Sequence, residues 1–294
     1  MNTRAQISLL PDGRRLHLQD GPIDVIIEAF GPPREVRASY VAATERFVTI
    51  LDELCGELPL LRQAAGPSGP QVTGIVAKRM LEAVLPYAAD AFITPMGAVA
   101  GSVAEEILAA LIGAAVLDRA YVNDGGDIAL HIDAGEEFLV GMVERPDRPS
   151  LFGTATLRSA DPVRGIATSG WRGRSFSLGI ADAVTVLAES ASAADAAATI
   201  IANAVDLPGH PAISRVPACE LSPDSDLGTL PVTQNVGWLS QSETEVALNA
   251  GVAMALRLVE RGLIVAAALN LQRETRVVGS IPLQPALQRS LTHA

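Results

Sequence analysis

The sequence predicts an α+β protein in which mixed sheets pack against alanine-rich helices. Three observations point there. Strand-period alternation opens the chain and returns in its middle, alanine-dense stretches carry apolar residues at helical spacing, and glycine and proline clusters separate the two kinds of segment. The 294 residues are 49% hydrophobic and 19% charged, with only 4% aromatic, so small aliphatic side chains must build the core. That length suits one large unit, residues 1–294, or two closely packed halves of it.

The alternation Ala5 to Leu9, the turn Pro11-Asp12-Gly13 and Arg15 to Leu18 read as a hairpin, with Ile23 to Ala29 as a third strand. After Gly31-Pro32-Pro33 the period changes, and Val36, Tyr40, Phe47, Ile50, Leu51 and Leu54 fit a helix running to about Gly56. Ala65 to Pro70 is the densest glycine and proline cluster and reads as a mobile connection. Gln71 to Leu85 fits a short helix, and Ala98 to about Ala115 a longer one entered through Pro95, with Thr94 as a candidate cap. Gly97, Ala98 and Gly101 would give that helix a small-residue surface, open to close packing or to a ligand.

Ala120 to Val122 and Ile128 to Ile132 read as strands, and Phe138 to Val143 as a continuation of their sheet up to Arg145-Pro146. Two more strands follow at Thr154 to Leu157 and Val163 to Thr168, then a buried strand at Ala183 to Leu187 and an alanine-rich helix from Ser192 to Val205. Pro208 to Pro231 reads as irregular, a lid or surface loop. A helix over Glu243 to Glu260, stopped by Arg261-Gly262, and a strand over Leu263 to Leu271 close the core, leaving Leu283 to Ala294 peripheral.

The formal charge of −11, with Lys78 the only lysine, excludes a general nucleic-acid or anionic-membrane surface, which needs clustered cations. Cys55 and Cys219 lie far apart and outside any metal-ligand spacing, and His17, His131, His210 and His293 show none either. His131, within a strand pattern, reads as a sheet residue rather than a catalyst. The N-terminus lacks the pattern of an export signal, and the apolar runs Ile107 to Leu117 and Leu263 to Leu269 are shorter than the roughly 18 residues of a membrane span. A cytoplasmic protein is the expectation.

Chemistry concentrates in three stretches. In the first, Val122 to Ile128, Asn123 and Asp124 precede Gly125, Gly126 and Asp127, residues that favour a tight turn and let backbone amides approach a ligand. A plain hairpin turn and a ligand loop both fit. In the second, Thr168-Ser169-Gly170 ends a strand and runs into Trp171-Arg172-Gly173-Arg174-Ser175, where guanidiniums and hydroxyls suit phosphate oxygens or simply face solvent. In the third, Asp195 and Thr199 lie four apart on one helix face, where both could meet a hard cation such as magnesium. Alternatively Ser192 caps that helix and Asp195 partners the cap.

These three stretches, in this order, resemble the ApbE superfamily of flavin transferases. Phe92-Ile93-Thr94-Pro95-Met96 and Ala183-Val184-Thr185-Val186 resemble further family segments, so the likeness covers about residues 85 to 210. The resemblance implies an ApbE-like fold that binds FAD with Mg and moves FMN to a hydroxyl of a protein acceptor, releasing AMP. It also implies that Asp195 and Thr199 hold the metal. Asn123, Gly125, Gly126 and Asp127 would form the cofactor loop, with Thr168, Ser169 and Gly170 as a second wall. Asp195, Arg174 and Ser175 are the candidate catalytic residues, with Arg172 or Arg174 offsetting phosphate charge.

The chain departs from the family in one respect. Typical members carry a His-x-x-Asp-Pro segment after the Thr-Ser-Gly wall, whereas no histidine lies between His131 and His210 here. Arg174 to Asp182 instead resembles a smaller branch associated with sulfur and homocysteine metabolism. Two functions follow as expectations: a Mg-dependent transferase of a flavin or nucleotide moiety, or a non-catalytic protein that binds a flavin or small anion and assists a sulfur-handling partner. A homodimer is a candidate assembly.

Overall fold

In the computed structural model the described residues are 4–66, 69–143, 151–280 and 283–285. The chain opens with β1 (Gln6–Leu9), β2 (Leu16–Asp20) and β3 (Ile23–Phe30), then folds into helices α1 (Pro33–Leu61), α2 (Ile75–Val84) and α3 (Val99–Ala114). Strands β4 (Arg119–Asp124), β5 (Asp127–Ile132), β6 (Glu137–Val143), β7 (Leu151–Arg158), β8 (Gly165–Ser169) and β9 (Ala183–Ala188) lead to α4 (Ala191–Ala204). After them come β10 (Ile213–Pro217), the single turn α5 (Ala218–Leu221), β11 (Pro231–Val236), α6 (Gln241–Glu260), β12 (Ala266–Leu271), β13 (Glu274–Gly279) and β14 (Leu283–Pro285).

Nine strands form the main sheet in the order β1-β2-β3-β4-β5-β8-β9-β12-β13, every pair of them antiparallel. Two hydrophobic cores pack on its helical side. One joins β2, β3 and β4 to α1, α2 and α3 through Leu18, Ile27, Phe47, Ile50 and Ile107. The other joins β8, β9 and β12 to α4 and α6 through Val184, Ile201, Leu248 and Leu269. A smaller cluster around Leu130, Leu157 and Leu187 seats β7 against the strands. Alanine dominates α4, where Ala194, Ala196, Ala197, Ala198 and Ala202 are fully buried. That lets α4 lie close to strands and neighbouring helices alike, as the composition predicts.

Several elements depart from the sequence reading. β6 does not extend the sheet of β4 and β5; it pairs with β7, which pairs with β14, in a separate three-stranded sheet. Alternation marks a strand but does not name its neighbour. Pro208 to Pro231 is not irregular, since β10, α5 and the start of β11 lie within it. Helix α1 passes Gly56 and Pro59 and ends at Leu61, whose fully buried side chain anchors the last turn. The expectations for Pro67 and Ser68, for Arg145-Pro146 and for the end of the chain beyond Pro285 lie outside the described residues.

One stretch, Pro95–Ala114, is long and apolar enough to cross a bilayer, more than the runs counted in the sequence suggested. Half of it is buried inside the protein. Its Glu105 and Glu106 pair with Arg79 of α2, and Glu106 also with Arg46 of α1, so the helix is the pillar of the first core. Thr94 does not cap it. The Thr94 hydroxyl donates instead to Asp226, fastening the segment between α5 and β11 beside the start of α3.

Candidate functional site

The β4–β5 hairpin is built for a two-residue turn. Gly125 and Gly126 sit at φ 65° and 117°, and Asn123 Oδ1 accepts the Gly126 N–H at 2.8 Å. The plain turn reading is therefore correct as structure, and it leaves Gly125 facing out. The guanidinium of Arg174 lies directly on it: a Cβ at position 125 would stand 1.6 Å from the terminal nitrogen of Arg174. Another residue there would have to displace that mobile side chain and adopt the left-handed φ of 65°. The same guanidinium is 3.9 Å from Asp124, the last residue of β4.

Asp127, the first residue of β5, accepts the Thr168 N–H at 3.2 Å and so ties the hairpin to the end of β8. Thr168 Oγ1 pairs with Thr185 Oγ1 across the β8–β9 ladder at 2.9 Å, a cross-strand contact that takes up part of its capacity. Ser169 follows, partly exposed. Gly170 lets the chain pass the Ala181 and Asp182 carbonyls, since a Cβ there would lie 2.8 and 2.7 Å from them. Beyond it Arg172 is committed elsewhere, paired with Asp182 and stacked 4.2 Å over the Trp171 ring. Arg174 and Ser175 stay exposed. Of the two arginines, Arg174 alone adjoins the glycine turn.

Helices α3 and α4 meet antiparallel and cap each other. The N-cap of α4 is Ser190, whose side chain accepts from Ala193, and not Ser192 as the spacing suggested. Asp195 caps a different helix: its Oδ2 accepts the Gly101 N–H at 3.0 Å, supplying the first turn of α3 with the acceptor that Ala98 at its N-cap lacks. In return Glu105 of α3 accepts the Ser192 N–H in the first turn of α4 at 2.6 Å. Gly101 makes this possible, because a Cβ there would stand 2.3 Å from the Ala191 carbonyl oxygen. Close packing is thus what this glycine serves. Gly97 lies one turn back, against the Thr199 methyl. Glu105→Ala is expected to cost about 1 kcal/mol of stability, the usual worth of a cap, and Glu105→Gln less, as read by urea unfolding.

Three carboxylates from these elements feel one another. Asp124, only 4% exposed, has its pKa pushed up to about 7, chiefly by burial. Asp127 is raised by burial and by Asp124. Asp195 is raised well above the usual carboxylate range, by burial and then by Asp127, with Asp124 adding to it. Both Asp127 and Asp195 keep some contact with solvent, so their cluster opens outward. At neutral pH three charges here are more than the site holds without a proton or a cation. Among the described residues no three His, Cys, Asp or Glu side chains are already drawn around one point for a metal.

The sequence reading named Asp124 in the glycine turn but left it out of the site residues, although Ala120, Val122 and Asp124 alternate on the buried face of β4 and that period was available to place it. It also missed Glu105, whose partner Ser192 is 87 positions away, and Asp182, which gathers Trp171, Arg172 and Gln272.

The protein-family model described as AbpE bacteria matches residues 7–277. The chain belongs to this ApbE-like family. A UPF0280 protein of Methanopyrus kandleri is 37% identical over 165 residues, covering 56% of this chain and 58% of that one. A second, from Methanosphaerula palustris, is 32% identical over 189 residues, covering 58% and 71%. The chain therefore spans little more than half the length of the first relative. Among solved structures, the apo flavinyl transferase ApbE of Pseudomonas stutzeri aligns over 93% of both chains at 12% identity and a TM-score of 0.44. The flavin transferase ApbE of Vibrio cholerae aligns over 91% of this chain at 13% identity and a TM-score of 0.39.

For an ApbE-like chain the donors suit the group its superfamily implies. Asp195 and Thr199 offer hard oxygens one helical turn apart, and the excess negative charge beside them is what a divalent cation would offset. Arg174 over the glycine turn adds a cation where a phosphate could enter.

Proposed function

We propose that this ApbE-like protein binds a flavin nucleotide, FAD or FMN, together with magnesium at the junction of the β4–β5 turn, the end of β8 and the start of α4, and transfers the flavin or nucleotide moiety to a protein acceptor. The observation that carries this reading is the convergence of Asp124, Asp127 and Asp195 beside a glycine turn covered by one arginine. Asp195 and Thr199 would hold the cation. When bound, magnesium would supply charge neutralisation at the nonbridging oxygens of a pyrophosphate.

The chain's own groups divide the remaining work. Arg174, weakly paired with Asp124, can turn its guanidinium onto a phosphate without leaving a strong partner behind. The Gly125 amide would meet a ligand with no Cβ in the way, the Gly126 amide being held by Asn123, and Thr168, Ser169 and Gly170 would form the opposite wall. Asp124, with a pKa near 7, can take or hold a proton at its carboxyl under physiological conditions, which is the capacity a transfer to a hydroxyl needs. Ser175, exposed beside Arg174, is the free hydroxyl of that loop. Two free cysteines, Cys55 and Cys219, suit a reducing cytoplasm.

A second reading, binding without turnover in support of a sulfur-handling partner, is favoured by one observation. No described histidine bonds to the three aspartates: His17 pairs with Asp24, whose backbone N–H lies 3.5 Å from Asp124, His131 with the Leu117 carbonyl and His210 with Glu243. Titration with FAD, with and without magnesium, separates the readings when AMP is assayed in the same samples. Asp195→Asn is the variant of choice, because the amide oxygen can still cap α3 while the charge is gone. FAD binding whose magnesium dependence vanishes in Asp195→Asn is expected, and AMP release then marks a transferase. Absence of flavin binding by the wild-type protein overturns the transferase reading and leaves of the second only its small-anion form.

A further inference from the structure

A cavity of about 440 Å³ lies between α4, α6 and the turn that follows α2, and none of the residues of the proposed flavin site lines it. Ile200 contributes to it from α4, five residues past Asp195 and hence about 140° round the helix from the acidic face. Ala91, Met254 and Leu258 complete an apolar wall. The polar end is made by Tyr87, Arg257 and Arg261, with Asp90 at the rim.

The polar groups are incompletely matched. Tyr87 is 4% exposed overall, its hydroxyl makes no hydrogen bond among the described residues and is open to solvent, and burial of the side chain pushes its pKa up to about 12, so it remains a neutral donor. Arg261 is held in place by the Pro86 carbonyl at 2.7 Å and has Asp90 at 3.9 Å, a carboxylate that is itself 75% exposed. Arg257, exposed to solvent, hydrogen-bonds to the Met254 sulfur at 3.4 Å and has no carboxylate partner among the described residues. Two guanidiniums against one carboxylate leave the cavity a net positive charge in a chain whose total is −11. Arg257 stands in the last turn of α6, where the helix end itself favours a cation.

We propose that this cavity is a binding site for a small organic anion with an apolar body. Arg257 and the Tyr87 hydroxyl would take the anionic group, Arg261 would fix the edge of the site, and Ile200, Met254 and Leu258 would cover the body. The volume falls in the range of small-molecule sites, roughly 300–1,000 Å³. It is a site separate from the proposed flavin cleft, and it shares only helix α4 with it.

Calorimetric titration with 2-naphthoate, 2-naphthyl phosphate, neutral 2-naphthol and inorganic phosphate tests the proposal. The two aromatic anions are expected to bind one to one, with 2-naphthol and inorganic phosphate each weaker by about tenfold or more. Whether carboxylate or phosphate binds tighter identifies the anionic group. Arg257→Gln, on an exposed side chain that folding does not need, should weaken both aromatic anions about tenfold and leave 2-naphthol unchanged. Ile200→Trp should fill the cavity and abolish binding of all four. Asp195→Asn should change none of these affinities, which separates failure here from failure of the flavin reading. Equal affinity for 2-naphthol and 2-naphthoate, insensitivity to Arg257→Gln, or no binding of either anion at millimolar concentration would overturn the proposal.

Discussion

The metal-free protein is expected to lose stability as the pH rises from about 4 to about 7. Asp124, Asp127 and Asp195 all have folded-state pKa values above their usual ones, so over this window the native state binds more protons than the unfolded state. Stability must then fall with rising pH. For Asp124, moved from 3.8 to about 7, the loss is on the order of a few kcal/mol by the time the pH passes 7. Groups shifted the other way, such as Glu243, held down near 2 by Ser240 and His210, add their stability at lower pH and leave this window to the aspartates. Urea midpoints measured from pH 4 to 8 should trace the decline. Asp124→Asn should flatten it, and millimolar magnesium should flatten it in the wild type. A decline that magnesium leaves untouched would remove the cation from the site.

Gly101→Ala should destabilise the protein by about 3 kcal/mol, although alanine is the better helix former by roughly 1 kcal/mol. The added methyl would stand 2.3 Å from the Ala191 carbonyl oxygen and 2.9 Å from the Ser192 nitrogen, backbone atoms that move only if α4 moves. A fall in Tm of roughly 6–10 °C is the expected reading. Gly113→Ala, on the same helix with open space around it, is the control and should stabilise by about 0.5–1 kcal/mol. Equal effects at the two positions would show that propensity rather than the helix contact decides. Since Gly101 also donates to Asp195, the first substitution should weaken magnesium-dependent flavin binding together with stability, and the second should leave it intact.

What could be read from the sequence was local. The glycine turn is announced by its own residues and by alternation on either side, and β9 by an apolar run broken only by Thr185. Helix α6 carries its start signal in Ser240 and Glu243, a reciprocal cap within four residues. The features that escaped are those whose partners are remote. Asp195 looks like a cap residue of its own helix because nothing nearby shows that the first turn of α3, 94 positions earlier, lacks an acceptor. Arg172 looks free for phosphate until Asp182 is brought against it by the chain passing Gly170. The β10–β11 pair is hidden by its prolines and serines, which suit a two-stranded ribbon at the surface as well as they suit a loop.

The exchange of carboxylates between α3 and α4 also bears on how the chain is made. The acceptor that finishes α3 and the one that secures α4 are encoded on opposite sides of some seventy residues of strand and turn, β4 to β9. During synthesis the amino-terminal helices must therefore wait, with exposed amides at the mouth of α3, until Asp195 has left the ribosome. Early chains should remain open to proteases near Gly97–Gly101, and protection there should appear only once α4 has emerged.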